Sequence, residues 1–225
     1  NQDVPQDHAF FATLYHVANK NGIKYFLSGG NLATESILPS SWGYDAMDAT
    51  QLKAVHKKFG KKKLKKYEIV SFFKRKVYYP YFKKFRIIRP LDFLPYIKDK
   101  AKETIKNELN WRDYGGKHHE SKFTKFFQAH WLPTKFGFDK RKAHLSSLIV
   151  SGQMTRDEAL KELEKPLYDE TELKEDKEFI SKKLGISLEE FESIMQQSNK
   201  TFLDYPSDYK KDIFFSDLKK KIKNR

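Results

Sequence analysis

The sequence predicts an α/β fold that holds few strands and passes into a mainly helical region. Three observations lead there. The run "IKYFL" (Ile23 to Leu27) is β-branched and aromatic and sits between a helical stripe and a glycine pair, the order of half an α/β unit. A second run, "FRIIRPL" (Phe85 to Leu91), reads as another strand. From Ile97 onward apolar residues recur at helical spacing almost throughout.

In chain order, Asp7 is a plausible N-cap, and Phe10, Phe11, Leu14, Tyr15, Val17 and Ala18 form an apolar helical stripe that Asn21-Gly22 ends. After the strand and the glycine loop, "DATQLKAVHKKFG" (Asp48 to Gly60) reads as a helix closing on glycine. The stretch from Lys66 to Lys84 alternates and fits helix or strand. Helices are predicted at about 98–110, 122–131, 140–151, 156–165, 172–184 and 188–197. Thr155 with Glu158 and Ser187 with Glu190 have capping-box spacing, where side chains satisfy amides that lack an intrahelical partner. Phe72-Phe73 and Phe126-Phe127 read as core, and the acidic residues of "LYDETELKEDKEF" as a solvent face.

The chain has 225 residues, with 44 Lys+Arg against 30 Asp+Glu for a formal charge of +14. Its 19 Phe, 12 Tyr and 3 Trp argue for a real core. With no cysteine there is neither a disulfide framework nor a thiolate metal site in this segment. No long apolar run and no signal-peptide pattern occur, so the expectation is a soluble, cytoplasmic protein without membrane association. The chain begins with Asn1, and two strands are too few for a parallel sheet, so it is expected to be a piece of a longer protein with strands upstream. The basic excess, concentrated in "KKFGKKKLKKY" (Lys57 to Tyr67) and "LKKKIKNR" (Leu218 to Arg225), fits a solvated face, an anionic substrate or a nucleic acid.

Two stretches carry candidate chemistry. In "YFLSGGNLATES" (Tyr25 to Ser36), a strand followed by Ser28, Gly29 and Gly30 puts the chain where open α/β folds bind ligands, and paired glycines let amides approach phosphate oxygens. Asn31, Thr34 and Ser36 add neutral hydrogen-bonding groups, and Glu35 a carboxylate for Mg²⁺ or a ribose hydroxyl. The plain alternative is a strand-to-helix turn. The loop is neither GxxxxGK[ST] nor GxGxxG. The second stretch, "WRDYGGKHHESKFTKFF" (Trp111 to Phe127), gathers Arg112, Asp113, Lys117, His118, His119 and Glu120 before a helix, a setting that suits an anion. Metal binding is not expected there, because adjacent side chains rarely converge on one ion and Phe123 stands where HExxH needs its second His. A capped surface turn is the other reading. His144 shares a helix with Leu145 and Leu148 and reads as packing or a structural hydrogen bond, and Pro39 and Trp42 as a pocket wall or loop packing.

The segments "SGGNLATESILPSSWGY", "RPLDFLPY", "NWRDYGGKHHESKFTKFFQAHWLPTKFGFDKRKAHLSSLIVSGQMTRDEAL" and "TFLDYP" together resemble the N-acetyl sugar amidotransferases, PP-loop ATP pyrophosphatases related to asparagine synthetase that act in lipopolysaccharide and surface-glycan biosynthesis. The resemblance spans Asp3 to about Pro206. It implies the C-terminal half of an adenine-nucleotide alpha-hydrolase-like (PP-loop) α/β domain at 1–96, a helical substrate and active-site region at 97–206, and a basic tail at 207–225. Asn31-Leu32 follows the glycines where the family's defining loop has a variable residue and Asp, so this loop resembles the family's second nucleotide motif, with the first upstream.

By the same resemblance, Ser28, Gly29, Gly30, Asn31 and Glu35 contact the nucleotide, and Lys117 stabilises charge on the ATP phosphates. Arg112, His118, His119, Lys135, Lys140 and Arg141 contact substrate. The implied reaction uses ATP and Mg²⁺ to adenylate the acetamido oxygen of an N-acetyl sugar, carried as a sugar nucleotide or nonulosonic acid. Ammonia from a separate glutaminase subunit then displaces AMP to leave an acetamidino group. Activity is expected only with the upstream half, and nucleic acid has no part in this reading. Two alternatives remain: a PP-loop tRNA-modifying enzyme, and a non-catalytic basic module that binds nucleic acid or a partner.

Overall fold

The computed structural model describes residues 3–113 and 121–223. In chain order it has helix α1 (Val4–Lys20), strand β1 (Tyr25–Leu27), the single-turn helix α2 (Leu32–Glu35), helix α3 (Ala49–Phe59), a π-helical segment at Lys74–Phe82 and strand β2 (Arg86–Ile88). Helices α4 (Lys98–Leu109) and α5 (Lys122–Phe126) follow, then a second π-helical segment at Phe127–Phe136. The remaining helices are α6 (Lys140–Val150), α7 (Arg156–Glu164), α8 (Glu170–Leu184), α9 (Leu188–Gln196) and α10 (Tyr209–Lys223). The protein is therefore mostly helical, with one small parallel sheet. Two compact units form: one from 1–28, 43–88 and 200–225, the other from 29–42 and 89–199.

The first unit holds the sheet. β1 and β2 run parallel, with Tyr25 opposite Arg86, Phe26 opposite Ile87 and Leu27 opposite Ile88. The ladder continues at both ends, from the Arg86 amide to the Lys24 carbonyl and from the Ser28 amide to the Ile88 carbonyl. Phe26 is buried against the edges of Tyr15 and Phe85, and Phe85 stacks on Tyr79 at 4.9 Å. Ala12 and Val70 complete this core.

Helix α1 turns only part of its predicted apolar stripe inward. Tyr15 packs on Phe26, Tyr79 and Phe85 and Ala18 is buried, together with His8 and Ala12, whereas Phe10 is 63% exposed and Phe11, Leu14 and Val17 are exposed as well. The inward face is therefore shifted from the centre of the stripe toward His8 and Ala12. His8 is held there from both ring nitrogens: Nδ1 lies 3.1 Å from the Ala46 carbonyl, and the Val70 amide donates to Nε2. With Nε2 accepting, Nδ1 must carry the proton, and the ring is neutral.

Asp48 caps α3, the helix expected over this stretch, by accepting from the Gln51 amide, and it does more. Its other oxygen accepts from the Tyr44 hydroxyl at 2.6 Å and from the Asp208 amide at 2.6 Å. Asp208 in turn accepts from Thr50 and Lys211. Tyr44 stacks on Phe202 with centroids 4.1 Å apart. The stretch expected as a basic tail thus contains α10, whose Asp212 meets Arg75 and Lys76.

The second unit packs Phe126, Ile180 and Phe191 into its core. Thr155 and Glu158 form the reciprocal capping box, and Ser187 accepts from the Glu190 amide. The helix expected over 122–131 ends at Phe126 and continues as a π-helical segment to Phe136, with Pro133 inside. Proline has no amide proton to give an ordinary helical bond. The ambiguous stretch before β2 resolves in the same way, as a π-helical segment around Pro80.

Two packing expectations need correction. Phe73 is 60% exposed and is not core, although Phe126 is fully buried. Asp176, placed by its sequence context on a solvent face, is also fully buried, where it accepts from Lys122 and Tyr168. Burial alone would raise its carboxyl; the hydrogen bonds from Lys122 and Tyr168 outweigh that and hold it below the ordinary carboxylate range.

His8 makes stability depend on pH. Burial pushes its imidazole below the ordinary range and the Arg75 charge adds to this, against the Ala46 hydrogen bond and the nearby aspartates. A base depressed in the folded state binds its proton more readily when unfolded. Its stabilisation is therefore complete above its unfolded value of about 6.5 and declines as pH falls through the folded value. Urea unfolding should show stability dropping as pH is lowered from about 7 toward 5. His8→Gln should reduce that slope, and an unchanged slope would exclude His8 as its source.

Candidate functional site

The glycine loop leaves β1 and is fastened within the second unit. Asn31, buried, caps α2 by accepting from the amide and hydroxyl of Thr34. The Leu32 amide donates to Asp92, which also pairs with Arg89 at 2.8 Å. Helix α2 lies on α6: the Ile37 amide donates to the buried Ser147 hydroxyl, and Ser151 donates to the Ala33 carbonyl. Trp42 stacks on Phe138 at 5.3 Å, which makes it loop packing. The structure thus brings together the loop, the "RPLDF" turn and α6 from three distant stretches of sequence.

At Gly29 a β-carbon would meet nothing within 4 Å, and the backbone is not left-handed. Neither crowding nor conformation among the described residues explains glycine there; close approach of another molecule to the backbone would. Asn31, by contrast, spends its side-chain oxygen on its own helix. Glu35 is an exposed carboxylate on α2, and Ser28 continues the parallel ladder through its amide.

The cations expected to contact substrate divide sharply. Lys135 donates its three protons to the carbonyls of Ile194, Met195 and Gln197, at 2.9, 3.0 and 2.7 Å, and so closes the C-terminus of α9. An ammonium there meets the negative end of the helix and has no donor left for a phosphate. Arg141 grips Asp139 through Nε and Nη2 and donates to the carbonyls of Glu162, Leu163 and Lys165 at the end of α7. Lys140 opens α6 and is half-buried. Arg112 is exposed just beyond α4. Lys117, His118 and His119 lie outside the described residues.

Asp92, Ser147 and Ser151, which position the loop, lie within segments that carry the resemblance, but none stood out there as a site residue. A serine on a helix gives no signal of which distant amide it will meet. Among the described residues no three His, Cys, Asp or Glu side chains gather where a metal ion would be held, and no helix is long and apolar enough to cross a membrane.

The arrangement of Lys135 makes a discriminating prediction. Lys135→Met should lower the stability of the helical unit by about 1.5–3 kcal/mol, the range for hydrogen bonds to a charged group. Denaturant unfolding and hydrogen exchange over α9 measure it. Unchanged protection of α9 would mean that the ammonium is not its closing element.

None of the curated proteins and none of the solved structures matches the chain. Residues 120–219 match a family model described as the LPS biosynthesis protein WbpG-like, C-terminal domain, a span that takes in Lys135, Lys140 and Arg141 and begins just after His119. Over that span the match supports a likeness to the C-terminal domain of an LPS biosynthesis amidotransferase-like family.

Proposed function

We propose that the chain is the C-terminal portion of an ATP-dependent N-acetyl sugar amidotransferase that converts an acetamido group to an acetamidino group in lipopolysaccharide or surface-glycan biosynthesis. The observation that carries this reading is the match of residues 120–219 to the WbpG-like C-terminal domain, read together with the motifs before it. An amide carbonyl is a poor electrophile. In the proposed reaction its oxygen attacks the α-phosphorus of ATP, pyrophosphate leaves, and ammonia then displaces AMP. The ammonia is supplied by a separate glutaminase subunit.

Two features support a nucleotide site at the glycine loop. Gly29 leaves room for backbone to approach a phosphate, and Glu35 offers an exposed carboxylate, which is adequate for Mg²⁺ because that ion usually takes one or two carboxylates beside the phosphates. The proposed role of Lys117 is to place positive charge where the transition state becomes negative, an effect often worth a few kcal/mol. Arg112, His118, His119 and Lys140 remain proposed substrate contacts. Lys135 and Arg141 are better assigned to holding α9 and α7 closed.

The proposed upstream half has a surface to meet. Among the described residues β1 pairs only with β2, its Tyr25 and Leu27 are exposed, and Phe10, Phe11, Leu14 and Val17 on α1 are exposed as well. Further strands would bury these groups.

One observation favours a second reading. The lysines at 57, 58, 61, 62, 63, 65 and 66 are all exposed, as a polyanion-binding surface requires. A single assay separates the two. The chain joined to its upstream half is given ATP, Mg²⁺, ammonia and an acetamido sugar nucleotide, and the products are read by mass spectrometry. Pyrophosphate release with replacement of oxygen by NH, lost in Lys117→Ala, is the expected outcome. ATP cleavage that needs tRNA and collapses with added salt would select the alternative.

A further inference from the structure

Helix α10 (Tyr209–Lys223) meets its unit along one line and leaves another uncovered. The line it uses is marked by Asp212, which pairs with Arg75 and Lys76, by Phe215, whose ring meets Phe72 edge-on, and by Lys219, whose ammonium lies 5.6 Å from the Tyr81 ring. These residues recur at a spacing of three and four, as one face of a helix does. Phe214, Leu218 and Ile222 follow a different line, each four residues from the next, and are 70%, 42% and 67% exposed.

Cations surround this apolar line. Lys210 stands four residues before Phe214 and continues the line toward the start of the helix, and Lys221 stands three residues after Leu218, beside it. Both are exposed, as are Lys211 and Lys220, and no acidic residue occurs from Leu218 to Ile222. Lysines near the end of a helix also complement its negative pole, but that role gives no reason to leave Leu218 and Ile222 in water.

The combination of charge and apolar surface chooses among occupants. A second copy of the chain, docked stripe to stripe, would bring two sets of lysines together, and like charges at that range repel. A nucleic acid would satisfy the lysines, yet Leu218 and Ile222 are aliphatic and offer its bases no ring to stack on. The surface of a bilayer that contains anionic phospholipid meets both needs. Its phosphates face the ammonium groups, and the long lysine stems let those groups stay at the phosphates while the apolar line sinks toward hydrocarbon. The net charge of +14 adds attraction at longer range.

We propose that α10 lies flat on the surface of a membrane that contains anionic phospholipid. Phe214, Leu218 and Ile222 enter the boundary between headgroups and acyl chains, and Lys210 and Lys221 pair with phosphates. A helix that lies on a membrane needs one apolar face and no spanning run, so the lack of a long apolar run, from which no membrane association was expected, does not bear on it. Such binding needs neither ATP nor the glycine loop and does not rest on the amidotransferase reading.

Vesicle sedimentation of the whole chain tests it, with equal parts of phosphatidylglycerol and phosphatidylcholine compared with phosphatidylcholine alone. The chain should pellet with the anionic vesicles and stay in solution with the neutral ones. Leu218→Ser combined with Ile222→Ser should weaken the partition about tenfold or more, because their apolar area is no longer taken from water. Lys221→Gln should weaken it about fivefold, the contribution of one lysine near such a surface. These side chains are all exposed, so the circular dichroism spectrum should be unchanged. Because the chain has no cysteine, Ile222→Cys takes a polarity-sensitive dye at that point alone, and its emission should shift to the blue on anionic vesicles. The same dye on Lys57→Cys, in the other basic run, should show no shift. Sedimentation indifferent to the serine pair but displaced by tRNA would select a nucleic acid and overturn the proposal. A blue shift at position 57 and not at 222, or a dimer without vesicles that the serine pair dissolves, would overturn it as well.

Discussion

Asp48 is almost without solvent contact, and the unit that carries the sheet is organised around its carboxylate. A carboxylate taken out of water is costly unless its lone pairs are met. Here the Gln51 amide, the Tyr44 hydroxyl and the Asp208 amide meet them, the last from 160 residues further along the chain. Satisfying this one group therefore does two jobs. It starts α3, and it draws the stretch around Asp208 back onto the first part of the chain, where Thr50 and Lys211 complete the second carboxylate. Asp212, on the helix that follows Asp208, reaches Arg75 and Lys76 at the head of the π-helical segment.

The helical unit uses charge in a related way. Lys135 and Arg141 occupy the carbonyl ends of α9 and α7, where the helix dipole is negative and the last carbonyls have no intrahelical donor. Asp176 is buried beneath Lys122 and Tyr168, with Lys125 over the Tyr168 ring at 4.6 Å. A strongly basic chain can be expected to offer cations to anionic ligands. In this unit several of the best-placed ones serve instead as internal donors, and that moves attention to Lys117, Lys140 and the amides of the glycine loop.

The loop itself depends on neighbours that its own sequence does not contain. Asp92 and Ser147 hold the amides of Leu32 and Ile37, so the chain after Gly30 is positioned by the "RPLDF" turn and by α6. Three widely separated stretches, the loop, the "RPLDF" turn and α6, thus share one hydrogen-bonded arrangement. It also leaves the backbone at Gly29 open, the condition for amides to approach an anion.

What the sequence determined by itself was local. Helix starts at Thr155 and Ser187 were legible because a cap bonds an amide two or three residues ahead, whereas Asp7 lies inside α1, which starts at Val4; most helices followed from apolar period. Both strands were legible as short β-branched runs between turn residues. Tertiary structure decided whatever depends on a distant partner. Lys135 and Arg141 read as anion contacts because the carbonyls they close lie about 60 and 21 to 24 residues away. The inward face of α1 was read only in part, through Tyr15 and Ala18, since a period reveals that an apolar face exists and not what covers it. The π-helical turns around Pro80 and Pro133 arise where proline withdraws a donor, and packing selects which wider pattern the chain then adopts.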